Sequence, residues 1–207
     1  MAKRRDLDPH RRRLLLQMAG GTMVMGSAGL WLPGCEAPRT DGLVPPHDGG
    51  VDHDAAFLPQ IDVDALRSEV WMEDRAIQAY EVLGPGLSEP LQPVAQLFRD
   101  HHWAHRQDGR DKLEAMGVTP PAAPTELPEN MPDLEEGDIP ILEYALLLEI
   151  QSVRSYMGLI AQMQRDSHRY ASSNILGSEL SHVLALQAAL GDGQPQVVGF
   201  VTDILEE

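Results

Sequence analysis

The feature that most constrains this chain is a long apolar helix pattern with an acid in the middle of its most apolar face. At helical spacing, Leu142, Leu146, Glu149, Val153 and Tyr156 fall on one stripe, so the Glu149 carboxylate points where a core side chain is expected. A buried carboxylate is costly unless it is paired, protonated or bound to a metal. The fold must therefore provide a compensating partner for Glu149.

The same pattern occurs 76 positions earlier, so the chain is predicted to be internally duplicated. The residues that correspond to the stripe around Glu149 are Leu66, Val70, Glu73, Ile77 and Tyr80. Two acids at equivalent positions of two apolar stripes suggest that Glu73 and Glu149 serve one purpose.

Helix caps and breakers divide residues 62–191 into four predicted helices. The first runs from Asp62 or Asp64, either of which can cap it, to Leu83, and the second from about Leu91 to Met116. The third runs from near Ile139, with Asp138 as its cap, to about Arg165, and the fourth from about Ser167 to Leu190. Residues 118–138 contain five prolines, and no regular element is expected there. A connection of that length between the second and third helices predicts an all-α, up-down four-helix bundle with a long crossover.

Acids and histidines occupy the inward stripes near the midpoints of these helices and should therefore meet in one buried layer. The predicted site residues are Glu73, His102, His105, Glu149, Glu179 and His182. This mixture of carboxylates and imidazoles suits divalent transition metals, and iron, manganese and zinc are all compatible with it. The alternative is a polar core layer of salt bridges and hydrogen bonds. His101 lies beside the stripe and is a weaker candidate.

The charge of the chain argues against a nucleic-acid partner. Six of its 16 Lys and Arg lie in residues 1–34, and residues 35–207 carry 10 basic and 30 acidic side chains. Such a surface has no basic face that would displace counterions from phosphates.

The basic N-terminus is followed by an apolar, glycine-rich run and by Leu32-Pro-Gly-Cys35, the order of regions found in an export signal. The arginines at 11–13 resemble a twin-arginine signal, and the Leu-Pro-Gly-Cys sequence resembles the lipobox of bacterial lipoproteins. This resemblance implies that residues 1–34 are removed, that Cys35 is lipidated, and that the protein is exported and held on a membrane of the cell envelope. The alternative is an uncleaved anchor. Residues 35–61 are predicted to be a flexible tether and 192–207 a short C-terminal tail.

The pattern of Glu73, Glu149 and Glu179-Leu-Ser-His182 resembles the ferritin-like four-helix bundle, in which each helix pair carries a Glu followed by a Glu-x-x-His. The stretch 174–191 is similar to the last helix of exported bacterial ferritin-like domains. This chain has His102 where the family has the second Glu, and His105 alone carries over from that motif.

The resemblance implies an exported, lipid-anchored protein that binds one or two iron or manganese ions, with oxidase or peroxide-related chemistry. Three carboxylates leave two divalent cations with a net charge of +1, so that one ion could bind instead of two. The alternative is a non-catalytic envelope bundle with a degenerate site, serving in binding, in stress protection or as a subunit of a complex. The sequence predicts neither catalytic residues nor an oligomeric state.

Overall fold

A computed structural model describes residues 6–20 and 59–191 of the chain. These residues form five α-helices, three short 3-10 turns and no β-strand. The helices are α1 (Pro9–Gly20), α2 (Gln60–Leu83), α3 (Gln92–Ala115), α4 (Asp138–Gln162) and α5 (Asp166–Leu190). Cys35, nearly all of the predicted tether and the predicted tail lie outside the described residues, whereas the four predicted bundle helices correspond to α2–α5.

The helices α2–α5 form an all-α bundle of two antiparallel hairpins. Helix α2 packs along α3, and helix α4 packs along α5. Helices α2 and α4 also run antiparallel, because Asp62 at the start of α2 accepts a hydrogen bond from the backbone of Gln164, just after the end of α4. As predicted, α3 and α4 therefore run in the same direction, and residues 116–137 return along the length of the bundle.

The crossover is attached to the bundle through its backbone carbonyl groups. Arg110 donates to the carbonyl of Pro121 (3.2 Å), Arg75 to that of Glu126 (2.9 Å) and Tyr144 to that of Glu129 (3.0 Å). The expectation that no element forms here was wrong at one point, where a 3-10 turn spans Leu134–Glu136. The Asp133 side chain caps this turn by accepting a hydrogen bond from the backbone N–H of Glu135. The turn begins after the last proline of the crossover, where this local cap stabilises it.

The predicted capping roles of Asp62 and Asp138 were also wrong. Helix α2 begins two residues before Asp62, and Gly137 precedes α4. Both carboxylates are fully buried and serve other segments: Asp62 accepts from the backbone of Gln164 (2.7 Å) and Arg165 (3.0 Å) at the start of α5. Asp138 accepts from the backbone of Ser88 at 2.7 Å. Buried N–H groups in these turns need acceptors, and the two acids provide them.

Helix α1 packs on the end of the bundle where α5 finishes. Leu15 and Leu7 are buried there, Arg11 donates to the carbonyl of Leu190 (2.7 Å), and Arg12 pairs with Asp138 at 3.2 Å. Across residues 6–20 and 59–191, no helix has both the length and the apolar character needed to cross a membrane.

Two apolar clusters occupy the bundle interior on either side of the polar layer. One lies at the α1 end and includes Leu83, Leu91 and Leu186; the other lies at the opposite end and includes Leu66 and Leu113. Each fully buried leucine contributes about 1.5–3 kcal/mol relative to an exposed one. These clusters stabilise the helices that hold the acids and histidines in place.

Candidate metal centre

The six predicted site residues all lie in one buried layer at the middle of the bundle, each with an exposed fraction of 6% or less. Their ligand atoms form two overlapping groups in which all atoms lie within 4.8 Å of one another. The Glu73 cluster consists of Glu73, His102, His105 and Glu179, and the Glu149 cluster consists of His102, Glu149, Glu179 and His182. His102 and Glu179 belong to both clusters and form the centre of the layer.

The His102 ring joins the two acids of the sequence duplication. Its Nδ1 atom lies 2.7 Å from Oε2 of Glu73, and its Nε2 atom lies 3.2 Å from Oε1 of Glu149. His102 thus occupies the central position between the two helix pairs.

Two tyrosines that the sequence interpretation treated only as stripe residues are part of the site. Tyr80 donates a hydrogen bond to Glu149, and Tyr156 donates one to Glu73. Burial raises the pKa of both phenols well above the usual value, and the nearby carboxylates raise it further. Both tyrosines therefore remain protonated donors. The signal that could have revealed them is the shared spacing of seven residues from Glu73 to Tyr80 and from Glu149 to Tyr156.

His101, the weaker candidate, supports the site from one side. Its Nδ1 atom lies 2.8 Å from Nε2 of His182, while Nδ1 of His182 faces Glu149 at 3.2 Å. Burial lowers the pKa of His101 to about 3, with a further contribution from His182 and the other histidines. Burial likewise lowers the pKa of His105 to about 4. Both rings are therefore neutral at physiological pH.

The metal-free layer has one cation at its centre. Burial alone would lower the pKa of His102, but Glu179, Glu149 and Glu73 together raise it well above the usual value. Burial would raise the pKa of Glu149, but His102 and His182 hold it well below its usual value. Burial and the neighbouring acids Glu149 and Glu73 raise the pKa of Glu179, although His102 opposes this. In this state Glu179 retains its proton.

Several ligand atoms lack hydrogen-bond partners, and this observation tests whether a metal would fit. Nδ1 of His105 is buried without a hydrogen-bond partner, and neither carboxyl oxygen of Glu179 accepts a hydrogen bond from the described residues, although the proton of Glu179 lies within reach of Glu149. His105 Nδ1 and Glu179 Oε1 are 3.0 Å apart, but without hydrogen-bond geometry. Unpartnered buried polar atoms are costly, and a cation between them would remove that cost. The donor set therefore fits a divalent transition metal.

One further acid, Glu69, lies one helical turn from Glu73 and was not predicted. It is buried, and it accepts a hydrogen bond from the hydroxyl of Ser172 at 2.5 Å. Burial raises its pKa to about 7, although Ser172 opposes the shift. Its signal in the sequence was its helical register, because residues 69 and 73 lie four apart on one face.

Comparison with known proteins gives a fold neighbour and no family. No protein-family model matches this chain, and no curated protein matches it. The fold is similar to the crystal structure of a conserved hypothetical protein, Rv2844, from Mycobacterium tuberculosis, with a TM-score of 0.59 and 18% sequence identity. That similarity covers 64% of this chain and 92% of the other. At this level of identity the comparison supports a shared helical fold.

Proposed function

We propose that this chain is a ferritin-like protein that binds one or two iron or manganese ions in the core of its bundle. The observation that carries the proposal is the convergence of three carboxylates and three imidazoles from four helices into one buried layer, with ligand atoms of His105 and Glu179 lacking partners. The order of the helices and the long crossover are also what the resemblance to ferritin-like proteins implies.

The residues of the two clusters have distinct roles in this proposal. Glu73 with His105, and Glu149 with His182, would bind from opposite sides, with His102 and Glu179 between them. A bound iron or manganese ion would supply redox chemistry toward dioxygen or peroxide. Tyr80 and Tyr156 orient the carboxylates, and the apolar clusters on both sides of the layer exclude water.

A second function is favoured by the hydrogen bonds of the metal-free layer. Glu73 accepts from Tyr156 and pairs with His102, and Glu149 is bonded to Tyr80, His102 and His182. These contacts offset most of the cost of burying the two acids without a metal. The chain would then be a non-catalytic envelope bundle whose polar layer is structural.

Metal content and thermal unfolding separate the two functions. For the metal-binding function, protein purified without added metal should contain iron or manganese by elemental analysis, and chelation should lower the melting temperature. A ligand present at 100 times its Kd stabilises the folded state by about 2.7 kcal/mol. A chain that contains no metal, and whose melting temperature responds to neither Fe(II), Mn(II), Zn(II) nor chelator, would falsify the metal-binding function.

The Glu149→Gln variant gives a second test. If a metal compensates the buried acids, this change removes tight binding and the metal-dependent part of the stability. If the layer is structural, the same change leaves His102 and His182 without their acid, and it destabilises the protein by about 3–5 kcal/mol whether or not metal is present.

The export part of the proposal rests on residues outside the described ranges and on the resemblance at Leu32-Pro-Gly-Cys35. We expect the mature protein to begin at a lipidated Cys35, and so to lack α1 and its contacts with the bundle, and to partition with membranes. Mass spectrometry of protein from its native host should show the loss of residues 1–34 and an acylated cysteine. An intact N-terminus or an unmodified Cys35 would remove the anchor from the proposal.

A further inference from the structure

The contacts around the two clusters distinguish how many ions the layer holds. His102 is the limiting residue, because a neutral imidazole has one lone-pair nitrogen and one N–H group. Its Nδ1 faces Glu73 at 2.7 Å, and its Nε2 faces Glu149 at 3.2 Å. Whichever nitrogen binds an ion, the other donates to the opposite carboxylate. A neutral His102 can therefore serve only one cluster at a time.

Residues outside the Glu149 cluster form hydrogen bonds to its acid, Glu149, and to its histidine, His182. When Nδ1 of His182 binds an ion, its Nε2 carries the proton, and Nδ1 of His101 lies 2.8 Å away as the acceptor. Tyr80 donates to Glu149 from outside the cluster. Metal-binding histidines almost always donate their second N–H group in this way, and the partner fixes the ring orientation.

An ion in the Glu149 cluster would also give the unpartnered atoms of the layer a partner, either the ion itself or a hydrogen bond. Oε2 of Glu179 would face the ion, while Oε1 lies 3.0 Å from Nδ1 of His105, close enough to accept its proton after a small rotation. Glu73 would not bind the ion, but it would accept from both Tyr156 and Nδ1–H of His102. Each of these groups then has a partner.

An ion in the Glu73 cluster has weaker outer contacts. The His105 ring, which is 6% exposed, has no hydrogen bond from a described residue that corresponds to the contact between His182 and His101. Oε2 of Glu179 would lie 3.8 Å from Nδ1 of His182, which is too long for a hydrogen bond. The two clusters contain the same ligand types, so the surrounding contacts decide between them.

The geometry points to a single divalent ion bound by His102, Glu149, Glu179 and His182, with His101 as the positioning residue for His182. The two carboxylates of this set match the charge of one divalent ion, and the third carboxylate, Glu73, keeps its hydrogen bonds from Tyr156 and His102. This inference rests on the proposed metal-binding function and specifies its stoichiometry and its ligands.

Titration of the full chain, stripped of metal, tests the stoichiometry. Isothermal titration with Mn(II) or Zn(II), and anaerobic titration with Fe(II), should give one ion per chain. Two ions per chain would overturn the inference and leave the metal-binding function intact. No binding of any of these ions would instead contradict the metal-binding function itself, so the two failures are distinguishable.

The duplication supplies matched variants that test the choice of cluster. Glu149→Gln and His182→Gln should lose tight binding. Their counterparts Glu73→Gln and His105→Gln should still bind one ion, with an affinity reduced by at most about 100-fold, because they remove outer contacts. The reverse pattern would place the ion in the Glu73 cluster and overturn the assignment. Circular dichroism of each metal-free variant establishes that it is folded.

His101 has its own test. His101→Ala should weaken binding by about 10- to 100-fold without changing the stoichiometry, and His101→Gln should restore part of the affinity because its amide oxygen can accept the proton from His182. Ser178 occupies the equivalent position in the other hairpin, and Ser178→Ala should bind as the wild type does. An unchanged affinity in His101→Ala, or no recovery in His101→Gln, would overturn the positioning role.

Discussion

The α2–α3 and α4–α5 hairpins place the same residues at three equivalent positions of the layer and differ at the fourth. Glu73, Tyr80 and His105 correspond to Glu149, Tyr156 and His182, but His102 of the first hairpin corresponds to Glu179 of the second. The shared positions provide the acids, their phenol donors and the flanking histidines. The one difference places an imidazole in the first hairpin where the second has a carboxyl group, and it turns a symmetric arrangement into an asymmetric one.

The hairpins also differ one helical turn away from the layer. Glu69 of α2 and Ser172 of α5 form a buried hydrogen bond, whereas the equivalent positions hold Ala145 of α4 and Ala95 of α3. All four residues are buried. The layer therefore has a polar pair next to it on one side and two alanines on the other, in addition to the difference between the hairpins.

The largest effect is expected from His102→Glu, which makes the hairpins alike. Without metal, the variant has four neighbouring carboxylates and no central imidazolium, and we expect a loss of about 3–5 kcal/mol in the free energy of unfolding. Four carboxylates balance two divalent ions, so the variant should bind two ions per chain. Urea denaturation with chelator measures the first effect, and metal titration measures the second. Binding of a single ion by this variant would show that residue 102 does not determine how many ions the layer binds.

The second prediction removes the polar pair next to the layer. The pKa of Glu69 is raised from 4.5 to about 7, so folding favours its protonated form. The resulting stability is fully present below about pH 4.5 and is lost as the pH rises through about 7, a difference of roughly 3 kcal/mol. Metal-free Glu69→Gln should therefore be more stable than the wild type above about pH 8.

The advantage of Glu69→Gln should disappear near about pH 4, and urea denaturation at both values measures it. Glu81→Gln, an exposed change on the same helix, is the matched control and should change stability by less than about 0.5 kcal/mol at either pH. Equal effects of Glu69→Gln at both pH values would contradict the assignment of a raised pKa.

The tyrosines allow a direct comparison between the hairpins. Tyr80→Phe and Tyr156→Phe each remove a hydrogen bond to a buried carboxylate and should each cost about 1.5–3 kcal/mol in metal-free protein. If one ion is bound in the Glu149 cluster, Tyr80→Phe should weaken ion binding more than Tyr156→Phe does. Thermal unfolding and metal titration of the pair measure both effects, and equal losses of affinity would mean that the two clusters are equivalent.

The smallest effects concern two helical glycines. A Cβ atom at Gly109 of α3 would lie 2.9 Å from Cγ2 of Val70, while one at Gly177 of α5 would meet nothing within 4 Å. We expect Gly109→Ala to lose about 1 kcal/mol, because crowding outweighs the gain in helix propensity. Gly177→Ala should gain about 0.5–1 kcal/mol. Chemical denaturation measures both, and a stabilised Gly109→Ala would show that α2 and α3 can separate locally without cost.

The four bundle helices and the meeting of six polar residues were predictable from the sequence, because helical periodicity fixes which side chains face inward. Placement near helix midpoints then brings Glu73 and His182 to the same level. The ends of the helices were less predictable. Asp62 and Asp138 resemble caps of their own helices, but they accept hydrogen bonds from turns that are distant in sequence. Local patterns contain no information about such partners.

The outer contacts of the site were also beyond the sequence interpretation. Tyr80 and Tyr156 were visible as stripe residues, but only the antiparallel arrangement of α2 and α4 pairs each with the acid of the other helix. His101 lies off the inward stripe of α3, so its contact with His182 depends on how closely α3 and α5 approach. Periodicity indicates which face a residue occupies, and not the distance to the next helix.

The exchange of tyrosine donors between the hairpins has a consequence for how the chain could be divided. The crossover at 116–137 contributes none of the six clustered residues, yet each hairpin completes the hydrogen bonding of the other's acid. Two separately expressed fragments, cut within the crossover, would each expose an acid and half of an apolar core, and they should recover both only by associating. The hydrogen bonds of the layer would thus make the two fragments bind each other specifically, and metal uptake would measure their reassembly.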